Sequence, residues 1–475
     1  FMVIGLVAIG LVCLFMILSY RLVGFVASIA LIGQIAATLA LVSHYFVVFK
    51  SFTLTLPGVA GLVLCIGMGV AVNIGIAERI KEELRDGKKL DVAIRTGDSR
   101  PALVPATDAN VAMLLVAAVL ICAFGPSGSA FTYPLYPIFF AFRVPAAASI
   151  YSLGYVMFWG IMFNFLFGIF ASRAMLSSLS KFGFLRKAWM FSGPSAKKEL
   201  REPKRTNYIT NRKKYAIVCL VLMVAVVVGS VVFGVDVDTH LLGCSQVTYS
   251  YTGEVNVEQA QAVAASTAGE GATVETNNTV GGSELIVRLP HSSTLSTKAL
   301  DDLTTQLQST YPDAEITQLQ VDSIQQTKGL YFLFKSLIAV VAALLFLFLW
   351  VTIRYRTIHG WRGAFASIIA LIFDFIMVFG TYVFMRQPLN ESFVGILIVL
   401  TGYAFAKLVI FARGRENIAL YKKDSFVTNM NRSMNQSMRR VVMASIAAVL
   451  ALASACVISG VYGMGGLFTV LLPLT

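Results

Sequence analysis

Long apolar runs broken by short polar stretches cover most of the chain. They lie near 2–18, 23–43, 57–77, 109–125, 147–171, 215–234, 331–353, 363–385, 391–412 and 441–459, and an eleventh begins near 465. A helix rising about 1.5 Å per residue needs about 20 residues to cross about 30 Å of hydrocarbon, and most of the runs reach that length. The pattern predicts eleven membrane spans, five in the first 171 residues and six in the remainder. The second set repeats the first. Tyr20-Arg21 and ASIALIGQ (27–34) follow span one, as Tyr355-Arg356 and SIIALIFD (367–374) follow span seven. PGVAGLVLCIGMGVAVN (57–73) has its counterpart in FVGILIVLTGYAFAKL (393–408), with Gly67 opposite Gly402. Duplicated bundles commonly hold their working site where the halves meet near the bilayer midplane, and that interface is the place to look for function.

One hydrophilic segment, 235–330, interrupts the pattern between spans six and seven. QVTYSYTG (246–253) alternates Val247, Tyr249 and Tyr251 on one face, which predicts a half-buried strand. VNVEQAQAVAAST (255–267) reads as an amphipathic helix. TVETNNTV (273–280) and ELIVRL (284–289) read as a hairpin, 296–310 as a second helix and 314–324 as a last strand. The order βαββαβ predicts a small ferredoxin-like domain. Its size suits a docking or gripping module, with a passive cap as the alternative.

Composition agrees with a polytopic membrane protein: 475 residues, 57% hydrophobic and only 13% charged. The formal charge of +13 suggests nucleic acid only until the charges are located. Thirty of the 38 Lys and Arg fall in loops after spans one, three, five, seven and nine, which places those loops in the cytoplasm. Loop 172–214 alone carries twelve basic residues against Glu199 and Glu202. Contact with anionic lipid accounts for this better than nucleic-acid binding. The same asymmetry puts the acidic 235–330 segment outside. Of the cysteines, Cys13, Cys65, Cys122, Cys219 and Cys456 lie in spans and Cys244 opens the outer domain. No CxxC pair supports a disulfide framework or a zinc site. The chain has no P-loop or HExxH, and His44, His240, His291 and His359 are scattered. Neither an enzyme nor a cofactor is expected. Phe1 is an unnatural start and Thr475 ends inside an apolar run, so the chain reads as a fragment. If the halves are true repeats, a further span and external domain belong before Phe1.

An ionisable group in hydrocarbon costs at least about 2.5–3.5 kcal/mol, so each one needs a reason. Asp374 falls in the middle of span eight and Lys407 in span nine. Side chains lean toward a helix N-terminus, which brings Lys407 toward the depth of Asp374 and predicts an ion pair. Snorkelling of Lys407 to the cytoplasmic surface is the alternative. Asp108, in Asp108-Ala109-Asn110, opens span four and reads either as a helix N-cap or as a functional carboxylate. Asn73, among Gly67, Gly69 and Gly75, reads as glue between close-packed helices.

Residues 51–90 (SFTLTLPGVAGLVLCIGMGVAVNIGIAERIKEELRDGKKL) resemble the hallmark segment of the SecD half of the bacterial protein-export component. That segment runs through span three into a cytoplasmic amphipathic helix starting at Glu78-Arg79-Ile80-Lys81. Tyr20-Arg21, Asp108-Ala109-Asn110 and Gly125-Pro126-Ser127 fit as well. From 215 onward the chain resembles the SecF half, in GVDVDTHLLG (234–243), Ile372-Phe373-Asp374, PLNESF (388–393) and GRENIAL (414–420). The resemblance to the SecDF family implies a bundle of the resistance-nodulation-division (RND) type in a bacterial cell membrane. It implies a SecD-like half (1–171), a basic linker (172–214), a first SecF-like span (215–234), the external domain (235–330) and the remaining SecF-like spans (331–475). It also implies proton-driven help to exported unfolded polypeptide on the outer side, beside the Sec channel and its motor ATPase.

The departures from the family pattern fall on charged machinery. Ala71 stands where the third-span aspartate belongs, Ala406 or Lys407 where the SecF-half aspartate belongs, and Phe373 where a histidine precedes Asp374. Ala112 and Met113 replace paired hydroxyls after Asp-Ala-Asn, and Ala447 and Ala448 replace those of span ten. The proton-path candidates left are Asp374, Asp108, Asn73, Asn110 and Lys407. A lysine beside Asp374 favours its charged form, and a fixed ion pair carries protons poorly. The expectation is therefore a SecDF-like export subunit with weakened proton coupling. The rivals are a small-molecule or lipid exporter on the same bundle and a non-transporting membrane scaffold.

Overall fold

The computed structural model describes the chain except for residues 1, 44–53, 98, 126–135, 140–147, 186, 193–205, 236, 238–243, 252–254, 269–271, 280–281, 291–296, 315, 325, 403–404, 462–470 and 473–475. Most of the expected eleventh span lies outside the described residues, as do Pro126-Ser127, 238–243 and Tyr403-Ala404.

The first set of helices comprises α1 (Met2–Val42), α2 (Leu56–Arg85), α3 (Leu90–Gly97), α4 (Arg100–Phe124), α5 (Tyr136–Phe139) and α6 (Ala148–Phe163). A π-helical stretch, Asn164–Ala171, joins α6 to α7 (Ser172–Leu179), and α8 (Ala188–Ser192) and α9 (Arg212–Phe233) follow. After the β-containing segment come α12 (Gln326–Arg354), α13 (Gly360–Phe384), α14 (Glu391–Gly402), α15 (Phe405–Leu420) and α16 (Phe426–Val461). Among the described residues, nine helices are long and apolar enough to cross a bilayer.

The first of them, α1, holds both predicted leading spans. The backbone turns at Arg21 (φ 48°, ψ −113°) and the chain folds back on itself. Ser28 Oγ then lies 3.4 Å from the carbonyl of Cys13, a contact no straight helix permits across fifteen residues. A side chain at Gly24 would strike the Met16 carbonyl. The second set repeats the corner. There Tyr355 leads through a 3₁₀ turn (Arg356–Ile358) to Gly360, whose Cβ would lie 2.5 Å from the Thr352 carbonyl. Tyr20 and Tyr355, the repeat landmarks of the two corners, are both buried.

Local signals set the other ends. Thr55 caps α2 by accepting from the Gly58 N–H, with Pro57 in the first turn. From there α2 runs unbroken to Arg85, so the amphipathic stretch at Glu78 is a continuation of the span rather than a new helix. Helix α4 starts at Arg100, behind Ser99 and with Pro101 in its first turn, well before the apolar run begins at 109.

The packing of the two sets is reciprocal. Helix α4 lies against α12, α14 and α15, while α16, the counterpart of α4, lies against α1 and α2. Each set thus lends one helix to the face of the other, and a single buried cluster runs through both. Helix α9 stands at the edge, packed on α13 and largely exposed.

Between the sets lie β1 (Cys244–Tyr251), α10 (Val257–Ala268), β2 (Thr273–Thr279), β3 (Gly282–Pro290), α11 (Thr297–Thr310) and β4 (Thr317–Ile324). The strands pair antiparallel in the order β2-β3-β1-β4, with Val247 opposite Val287 on one side and Val321 on the other. Val247, Tyr249 and Tyr251 are buried with Leu285, Val287, Ala260 and Ala264 of α10, and Leu303 and Leu307 of α11. The period-two alternation of β1 is what buries one face of the sheet under these helices. A 3₁₀ turn (Pro312–Ala314) takes the residues where the sequence suggested the last strand begins.

Candidate functional site between the two helix sets

Asp108 sits inside the seam, 3% exposed. It lies two turns into α4, so the N-cap reading is corrected: Ser99 precedes the helix and Pro101 starts it earlier. Its carboxylate reaches across to the second set. Arg354 Nε donates to Oδ1 at 2.8 Å and the Tyr355 hydroxyl to Oδ2 at 2.9 Å, while Trp350 Nε1 donates to the Asp108 carbonyl at 3.2 Å. Three residues at the C-terminal end of α12, Trp350, Arg354 and the Tyr355 that follows it, therefore grip one residue of α4.

Behind Asp108, buried amides fill the first set. Asn110, fully buried, accepts from Asn164 Nδ2 at 3.1 Å. Asn164 opens the π-helical stretch, and such bulges often mark functional positions. Gln34 Nε2 donates to the carbonyls of Gly160 (3.1 Å) and Cys65 (3.3 Å), tying α1 to α6 and α2. Asn73 Nδ2 donates to the Gly69 carbonyl at 3.0 Å. That bond returns to its own helix and is not the cross-helix glue the sequence suggested.

The Asp374–Lys407 pair forms, with Nζ 3.2 Å from Oδ2, so Lys407 does not snorkel. Its place differs from expectation. Helix α13 packs on α9, α12 and α14 and makes no comparable contact with the first set, and the Asp374 side chain is 45% exposed within the chain. The pair bridges spans eight and nine on the flank of the second set, off the seam.

At the crossing of α2 and α16, methyl groups stand where the family pattern has polar ones. Ala71 and Ala447 are buried, and Gly67 brings α2 so close that its Cβ would lie 3.5 Å from the Ala448 Cβ. Ala112 and Met113 are buried in α4. Phe373 is half-buried beside Asp374, and the Ala406 side chain lies outside the described residues.

Below this apolar zone the seam becomes ionic. Arg79 of α2 binds Glu416 of α15 at 2.7 Å, and Arg413 of α15 binds Glu82 of α2. Each arginine also holds the glutamate three residues on in its own helix, Arg79–Glu82 at 3.1 Å and Arg413–Glu416 at 2.8 Å. The result is a closed ring with two rungs across the seam. The corners repeat here too: Lys81 Nζ lies 4.3 Å from the Tyr20 ring centroid, and Arg415 Cζ lies 5.5 Å from that of Tyr355. Sequence reasoning used GRENIAL and the stretch at Glu78 as landmarks and missed the ring. The signal was the Arg-x-x-Glu spacing, present once in each half.

Comparison with known proteins agrees with this architecture. Residues 302–472 match the family model described as protein export membrane protein SecD/SecF, C-terminal. The chain is 25% identical over 465 residues to the protein translocase subunit SecDF of Bacillus subtilis, covering 94% of this chain and 57% of that one. A 116-residue stretch is 48% identical to the protein translocase subunit SecD of Rickettsia prowazekii, covering 24% of this chain and 21% of the relative. The crystal structure of SecDF from Thermus thermophilus, described as a translocon-associated membrane protein, superposes with a TM-score of 0.73 at 25% identity over 99% of this chain and 59% of that one. The chain thus spans a little over half the length of its SecDF relatives. With its two reciprocal helix sets and its membrane-length apolar helices, it is a multi-pass membrane protein of the SecDF type.

Proposed function

We propose that the chain belongs to an accessory subunit of the Sec protein-export machinery, one that assists unfolded polypeptide on the outer side of the membrane. In this reading residues 1–171 form a SecD-like half and 215–234 with 331–475 a SecF-like half. The basic linker 172–214 lies in the cytoplasm against anionic lipid. The segment 235–330 is a ferredoxin-like external domain that docks or grips the passing chain, an assignment supported by its antiparallel order β2-β3-β1-β4 with two covering helices. The partners are the Sec channel and its motor ATPase.

We further propose that proton coupling is weakened. The observation that carries this is the state of the intramembrane carboxylates. Asp374 is fixed by Lys407, Asp108 is fixed by Arg354 and Tyr355, and Ala71 and Ala447 put methyl groups at the crossing of α2 and α16. A proton path needs groups that exchange partners, and two carboxylates each engaged by a basic side chain, with methyl groups at the helix crossing of the seam, do not provide one.

The test is export of an unfolded precursor into proteoliposomes holding the Sec channel, its ATPase and this protein, with and without an imposed pH gradient. The expected result is stimulation of export that the gradient leaves unchanged. Stimulation that appears only with the gradient overturns the coupling argument. If the protein neither co-purifies with the channel nor stimulates export, the export reading itself fails.

A further inference from the structure

Where α12 ends, the surface forms an open cavity of about 460 Å³ lined by Ile353, Arg354, Arg356, Thr357 and Arg415. Its polar lining is rich in donors: three guanidinium groups and a hydroxyl. The charge is not balanced locally. Arg354 spends Nε on Asp108, and among the described residues neither Arg356 nor Arg415 has a carboxylate within ion-pair distance. A cluster of planar, permanently charged forks with free donors suits a phosphoryl group, which accepts two parallel hydrogen bonds from each arginine.

The surroundings say where that phosphoryl group comes from. Ile353, on the rim, is 69% exposed although it lies in the last turn of a membrane-length helix, so it meets lipid. Trp361, one turn past the corner, is also half exposed, with the Arg362 guanidinium 5.3 Å from its ring centroid. Exposed tryptophan beside arginine marks the level at which hydrocarbon gives way to headgroups. By the distribution of basic residues this is the cytoplasmic face, where basic pockets between spans hold anionic lipid.

We propose that this cavity binds the phosphodiester headgroup of an anionic phospholipid. Arg356, Arg415 and Thr357 donate to the phosphoryl oxygens, and an acyl chain lies along Ile353. Because Arg354 lines the cavity and also holds Asp108, an occupied site shares one guanidinium with the seam. Lipid occupancy and the grip of α12 on α4 are therefore linked. The proposal stands apart from the export reading and survives its failure.

Native mass spectrometry of the purified chain, released from micelles containing phosphatidylglycerol or phosphatidylcholine, tests it. The expected result is one retained phosphatidylglycerol per chain, preferred at least tenfold over phosphatidylcholine. R356Q alone should weaken it, and R356Q/R415Q should cut it at least tenfold. Arg356 is exposed, so R356Q keeps the fold. R356K/R415K should retain less lipid than the native chain, because lysine keeps the charge and loses the fork. R362Q, outside the cavity, should match the native chain, and millimolar inorganic phosphate should not displace the lipid. Equal retention of the two lipids, full retention by R356K/R415K (diffuse surface charge), or displacement by inorganic phosphate (a soluble anion site) would each overturn the proposal.

Discussion

Replacing Arg79 with glutamine removes one of two arginines from the ionic ring. Two glutamates, Glu82 and Glu416, are then left to share Arg413. The ring side chains are 11–25% exposed, between the surface and the buried limits. Exposed pairs contribute up to about 1 kcal/mol, whereas removing one partner of a fully buried pair costs about 3–5 kcal/mol. For R79Q the structure therefore sets a loss of about 2 kcal/mol. E416Q should cost no more than this, since it leaves Arg413 with Glu82, and Arg79 with Glu82 and with Glu83 at 3.4 Å. The double variant R79Q/E416Q keeps the balanced Arg413–Glu82 rung, so its cost should fall short of the sum by about 1–2 kcal/mol, within the range measured for residues of one network. Equilibrium unfolding of the purified chain in mixed micelles, across the four members of the cycle, gives the coupling directly. Additivity within about 0.5 kcal/mol, the figure for independent sites, would refute the idea that the ring acts as one unit.

Other substitutions probe the remaining contacts. D108A strands the Arg354 fork and takes from the Tyr355 hydroxyl its best acceptor, and should lower stability by about 2–3 kcal/mol. Y355F, which loses one bond, should cost about 1 kcal/mol in the same unfolding assay. D374A and K407A each leave one lone charge in the membrane, so D374A/K407A should reach the membrane in larger amounts than either single variant. Equal yields of all three would argue against the pair. G380V should loosen α9 from α13, because a Cβ at Gly380 would lie 2.5 Å from Val226 Cγ2. Overpacking of this kind costs about 1–3 kcal/mol, and a cysteine cross-link across the two helices would form more slowly.

What the sequence could disclose followed the range of each signal. Spans are local and periodic, so ten of the eleven apolar runs coincide with helices, and the duplicated Tyr-Arg corners coincide with the two tight reversals. The Asp374–Lys407 pair was legible because the two residues interrupt the apolar interiors of consecutive spans. Its distance from the seam was not, since depth says nothing about which way a helix faces. Asp108 misled because the apolar run starts at 109, although Ser99 and Pro101 begin the helix eight residues earlier. Arg354 and Arg413 looked like ordinary loop-flanking cations. Their acidic partners are 246 and 331 residues away along the chain, and only the folded arrangement of the halves brings them together.

The ionic ring also bears on how this interface can move. Each cation in it already has an anion one turn further on in the same helix, so parting α2 from α15 leaves every charge compensated on its own side. Separation trades two cross-links for hydration and strands no ion. A junction built from one-sided pairs would be locked by that penalty, whereas this one is self-neutral and free to open and close repeatedly at modest cost.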